Sequence, residues 1–101
     1  EVNQLNSKKR PSQNTVKKTK TDSFGFIEAN RDNSSLSKYG DYCNTSGSSR
    51  ISKDYYKIHV GSYTKIYYKN PSSTGQSFKM RACGEVFEPS AGTAIAARFC
   101  E

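Results

Sequence analysis

Between residues 55 and 82 polar and apolar side chains alternate one by one, and Gly, Asn, Pro and Ser repeatedly cut the alternation. A period of two belongs to strands that bury one face and show the other to water. Tyr56, Ile58 and Val60 share one face, with Tyr55, Lys57 and His59 on the other. Gly61-Ser62 then reads as a two-residue hairpin turn with Gly in the first central position. Residues 63–69 alternate again, with Thr64, Ile66 and Tyr68 inward and Tyr63, Lys65, Tyr67 and Lys69 outward. After a loop over residues 70–75, Phe78, Met80 and Ala82 oppose Lys79 and Arg81. Weaker runs at 39–45, 85–88 and 93–100 complete six short strands. In the last, Ile95, Ala97 and Phe99 alternate. The fold class is all-β, a small sandwich or barrel.

Such a domain has little to bury. Only 33% of the 101 residues are hydrophobic and Trp is absent, so covalent support is expected. No run approaches the roughly 18 apolar residues of a membrane helix, and none reads as a signal peptide. The start at Glu1 fits a mature secreted form whose leader has been removed. Net charge is +7, and its distribution is uneven. Residues 1–20 hold Lys8, Lys9, Arg10, Lys17, Lys18 and Lys20 against Glu1, whereas the remainder holds ten bases against eight acids. With so few apolar residues, 1–38 is expected to be a disordered basic leader and linker, and 39–101 the folded domain. The island at residues 24–28 is the one part of the leader able to add a strand or dock in a groove.

Catalysis is poorly provided for. His59 is the only histidine, and strand alternation sets it on the polar face beside Lys57. A ribonuclease would need His59 with Glu85 or Glu88 as acid and base and Arg81 on the phosphate, and no spacing joins them. A zinc site lacks ligands, so no metal, cofactor or enzymatic activity is expected. Three cysteines, Cys43, Cys83 and Cys100, allow one disulfide and leave one thiol over.

Cys43, Cys83-Gly84 some forty residues on, and the intervening Ile58-His59-Val60-Gly61-Ser62 and Lys65-Ile66-Tyr67-Tyr68 resemble the MAX effectors of plant-pathogenic fungi. These are the Magnaporthe avirulence proteins and their ToxB-like relatives. Ala82-Cys83-Gly84, Val86-Phe87 and the terminal Arg98-Phe99-Cys100 are most similar to the ToxB-like members. The resemblance covers residues 39–101. It implies a six-stranded sandwich of two three-stranded antiparallel sheets. It also implies a Cys43–Cys83 disulfide, worth about 4 kcal/mol for a loop of about 40 residues. Cys100 is then a free or intermolecular thiol, since its family partner is missing. The polar stretch 44–50 departs from the family's more apolar first strand.

A binding function follows. Tyr55, Tyr63 and Tyr67, interleaved with Lys57, Lys65 and beside His59, make the candidate partner surface. The resemblance implies a secreted effector, of a kind that can be translocated into host cells, that is monomeric and binds a host plant protein. A heavy-metal-associated domain of an immune receptor is one such target, met by β-strand augmentation with residues 55–60 as the edge. Second comes a basic nucleic-acid-binding β module, which the tail's charge would serve. A secreted inhibitor or toxin of another lineage is third. Asn33 and Asn44 head glycosylation sequons.

Overall fold

The computed structural model describes residues 2–32, 37–84 and 94–101. Eight strands form: β1 (Asn3–Asn6), β2 (Val16–Lys17), β3 (Phe24–Asp32), β4 (Lys38–Asn44), β5 (Tyr56–Ile58), β6 (Tyr63–Tyr67), β7 (Ser77–Gly84) and β8 (Ala94–Cys100). They lie in two four-stranded sheets, β1-β8-β3-β6 (sheet A) and β2-β7-β4-β5 (sheet B). All ladder pairings between strands are antiparallel. The pairs β1·β8, β2·β7, β3·β6 and β4·β5 nest inside one another, as if the chain were a single long hairpin. Rolling that hairpin adds β3·β8 and β4·β7 and splits the strands between two sheets. This is jelly-roll connectivity.

The class is therefore the expected all-β one, with four strands per sheet in place of three. The extra strands come from the segment expected to be disordered. Leu5 on β1 enters the core at 3% exposure. Between β1 and β2 the main chain is tied to β7 by bonds from Lys9 N to the Ala82 carbonyl (3.0 Å) and from Ser12 N to the Met80 carbonyl (2.9 Å). A boundary at residue 39 would also detach β3, which sits between β8 and β6 at the middle of sheet A. Composition undervalued this segment because its ordering rests on main-chain pairing more than on its own apolar side chains.

Most of the expected inward residues are inward, but Val60, set on one face with Tyr56 and Ile58, is 53% exposed because it falls in the turn after β5. Ile66, Phe78, Met80 and Ala97 are buried, together with Ile27 of β3 and Tyr42 of β4. The Tyr42 ring centroid lies 4.6 Å from Phe78, 5.6 Å from Tyr68 and 5.9 Å from Phe99, so aromatic contacts span the two sheets. Gly25 is required beneath them. A Cβ there would meet the Cys100 carbonyl oxygen and come within 2.6 Å of the Tyr42 hydroxyl and 2.8 Å of the Tyr68 hydroxyl.

The expected β5–β6 hairpin does not form. Ser62 N donates to the His59 carbonyl at 3.2 Å, so Val60 and Gly61 are the central residues of the turn, one position earlier than Gly61-Ser62. Gly61 has φ +84°, and positive φ at the second central residue alone marks a type II turn. Turns of that hand splay their flanking strands. Here β5 ends in sheet B and β6 begins in sheet A.

The Cys43–Cys83 disulfide is absent too. Register explains why. On the β4·β7 ladder Cys43 faces Lys79 and Cys83 faces Tyr39, four positions apart. That is about 13 Å along a strand, roughly twice the reach of a disulfide. The expected strand at 85–88 and the sequon at Asn33 lie outside the described residues.

Candidate binding face

The outward residues of β6 and β3 meet on one surface. Ladder register sets Phe24 opposite Tyr67, Phe26 opposite Lys65 and Glu28 opposite Tyr63. Inward neighbours Gly25, Ile27 and Ile66 are buried, which fixes the other set outward. On the far side of β3, Cys100 faces Phe26 and Arg98 faces Glu28. The outer face of sheet A thus carries four aromatic rings. Phe26 and Tyr63 stand 6.0 Å apart edge to face, Phe24 and Phe26 5.3 Å, and Phe24 and Tyr67 5.4 Å. Tyr67 continues the row to Tyr56 of β5 at 5.8 Å.

Tyr63 is 66% exposed, the most open large apolar side chain among the described residues. Charge borders the rings and also interrupts them, since Lys65 lies between Tyr63 and Tyr67 along β6. Arg98 Nε lies 3.0 Å from Glu28 Oε1, and the Lys65 ammonium stands 4.7 Å from the Phe24 centroid. Hollows indent the surface. One of about 260 Å³ is lined by Phe26 and Tyr63, and one of about 190 Å³ reaches from Phe26 past Arg98 to the exposed Cys100.

The six residues expected to form one partner surface are divided. Tyr63, Lys65 and Tyr67 belong to this face. Tyr55 lies apart, its ring between the Lys9 ammonium (5.0 Å) and the Arg50 guanidinium (4.9 Å). Lys57 is exposed on β5 opposite Tyr39, at the margin of sheet B, and His59 is exposed in the connection after it. Residues 55–60 do include a sheet edge, β5, but only three residues long. Phe24 and Phe26 were missed as surface residues; their alternation with Gly25 and Ile27 was the available signal.

Arg81 is held away from any phosphate role. Its guanidinium grips the Asp41 carboxylate with Nε and Nη2, and Nη1 donates to the Gly47 carbonyl at 3.0 Å. Glu85 and Glu88 lie outside the described residues. Among the described residues no three His, Cys, Asp or Glu side chains gather as a metal site, and no helix is long and apolar enough to cross a membrane.

Of the basic tail, Lys8, Lys9, Arg10, Lys17 and Lys20 are exposed and Lys18 is buried. Asn44 uses its carboxamide within its own loop. Oδ1 accepts from Ser48 N (2.9 Å) and Ser46 Oγ (3.1 Å), and Nδ2 donates to Ser48 Oγ (3.0 Å). Burial pushes the Cys43 thiol up to about 11.

Comparison with protein-family models, curated proteins and solved structures found no match to this chain.

Proposed function

We propose that the chain is a non-catalytic recognition module that docks a partner protein on the outer face of sheet A. The observation that carries this reading is Tyr63, 66% exposed and seated against Phe26 beside a hollow that those two rings line. An aromatic cluster with the Lys65 stem laid across it and Glu28 and Arg98 at its border has the makeup of a protein interface, in which Tyr and Arg are enriched. The rings meet edge to face, so they offer an uneven surface. Successive bases or sugar rings would need open parallel faces to stack on. Docking on a face also suits the edges: β5 is short, and the Tyr67 carbonyl at the end of β6 already accepts from Lys53 N at 2.8 Å. The wider setting, a secreted fungal effector meeting a host plant protein, rests on the resemblance around Cys43, residues 58–68 and Cys83.

The test is affinity capture from plant extract, followed by reconstitution with the purified partner. Tyr63→Ser should weaken binding by about thirtyfold or more, as loss of an interface anchor does. Lys57→Glu, on the other sheet, should leave it within about twofold. The reverse ranking refutes the reading. So does binding that falls by orders of magnitude between about 50 and 200 mM salt, the behaviour of a nucleic-acid module.

A further inference from the structure

A polar cavity of about 240 Å³ lies apart from the hollows of the aromatic face and shares no lining residue with them. Lys18, Arg50 and Lys69 line it together with Asn70, Ser73 and Gln76, and no carboxylate contributes to its wall. Main-chain bonds brace that wall: Lys18 N to the Gln76 carbonyl (2.9 Å), Gly75 N to the Lys18 carbonyl (2.7 Å) and Lys69 N to the Ile51 carbonyl (3.0 Å).

Lys18 is the unusual member. It is only 4% exposed, and its ammonium donates to the carbonyls of Lys20 (2.5 Å) and Pro71 and stands 4.8 Å from the centroid of the Tyr68 ring. Those partners satisfy hydrogen bonds without supplying a negative charge. Among the described residues it has no ion-pair partner. The Glu101 and Asp22 carboxylates act electrostatically on the neighbouring Tyr68 hydroxyl, and Glu101 is engaged by Thr19 N, Thr19 Oγ1 and Lys20 N. A buried cation without a counter-charge is costly. Two further cations beside it raise the local positive potential. Arg50 spends Nε and Nη2 on the carbonyls of Ser52 and Lys53, and Lys69 is exposed at the mouth.

We infer that this cavity is an anion-binding site for a tetrahedral oxyanion, the phosphate or sulfate ester group of a small molecule. The volume is below that of pockets that enclose drug-sized ligands, about 300 Å³ and upward, and matches one charged group with a small attachment. Lys18 supplies fixed charge at the base, Lys69 closes on the anion from the mouth, and Asn70, Ser73 and Gln76 provide neutral hydrogen bonds.

Amide chemical-shift titration of the whole chain tests the site, with inorganic phosphate, inorganic sulfate, glucose 6-phosphate, glucose 6-sulfate and glucose as probes at constant ionic strength. Saturable shifts centred on residues 18, 69, 70, 73 and 76 are expected with the anions and none with glucose. The tighter of the two esters identifies the source of the group. Lys69→Gln, an exposed change that should not disturb folding, is expected to weaken binding about tenfold or more. Shifts that never saturate, that appear equally at Lys57, Lys65 and Lys79, or that persist in Lys69→Gln overturn the site. Failure here leaves the protein-docking face untouched, because Tyr63→Ser should not alter these shifts.

Discussion

The hydroxyl of Tyr42 lies 2.8 Å from the main-chain carbonyl oxygen of Cys100, so a side chain rooted in sheet B closes on the last strand of sheet A. The Phe26 carbonyl oxygen, on the neighbouring strand, lies 3.0 Å from the same Tyr42 hydroxyl. Tyr68, beside it in the core, has a buried hydroxyl with no hydrogen-bond partner among the described residues. The two tyrosines should therefore respond oppositely to loss of the hydroxyl. Tyr42→Phe is expected to cost about 1–2 kcal/mol, and Tyr68→Phe to be neutral or stabilising. Urea unfolding measures both. A Tyr68→Phe cost equal to that of Tyr42→Phe would show that the Tyr68 hydroxyl is bonded after all.

Gly25 lies under the same pair. In Gly25→Ala the new methyl meets the Cys100 carbonyl and both hydroxyls, and backbone cannot yield as a flexible side chain does. Destabilisation of about 2–4 kcal/mol is expected. Thermal unfolding monitored by tyrosine fluorescence reads it, and a shift under about 0.5 kcal/mol would refute the close approach.

Asp41 and Arg81 face one another across β4 and β7, with side chains 1% and 9% exposed. Asp41→Ala leaves the guanidinium buried and unneutralised, which should cost about 3–5 kcal/mol. Replacing both, as Asp41→Leu with Arg81→Met, should recover most of that loss. A double variant as unstable as the single one would mean that the pair is needed for more than mutual neutralisation.

The cysteines give a prediction by difference. At pH 7 a thiol reagent should label Cys100 readily and spare Cys43, which is fully buried, and reductant should not move the unfolding midpoint. With its folded pKa raised to about 11 by burial, Cys43 favours the folded state fully below the ordinary thiol range and loses that contribution as pH rises through 11. Wild type should lose about 2 kcal/mol more than Cys43→Ala between about pH 9 and 11. Identical slopes would place the Cys43 thiol in water.

Much of the barrel was legible because one buried face per strand writes itself as alternation. Ile66 and Tyr68, Phe78 and Met80, and Ile95 and Ala97 are all buried as the pattern indicated. Where small residues take the buried positions the pattern fades. β3 turns Gly25 and Ala29 inward and Phe24 and Phe26 outward, so a nine-residue central strand looked like a brief apolar island. Asn3 and Ser12 are each 1% exposed although both are polar, and only the ladders to β8 and β7 show why. Cysteine spacing misled for a related reason: separation in sequence does not report position along a ladder. Tyr63, Lys65 and Tyr67 were readable as one outward row, while the loss of Tyr55, Lys57 and His59 from it hinged on where a single turn falls. Nothing in a lysine-rich run distinguishes Lys18, the one that is buried.

The nesting of strand pairs also orders events in time. β1 leaves the ribosome well before β8, the strand it is laddered to. Until β8 emerges, Leu5 has no ladder partner and β3 lacks one of its two neighbours. Every nascent chain ending before residue 94 therefore exposes the future interior of sheet A. Closure of the roll waits for β8, and such late, long-range pairing is slow enough for an unfinished chain to need shielding.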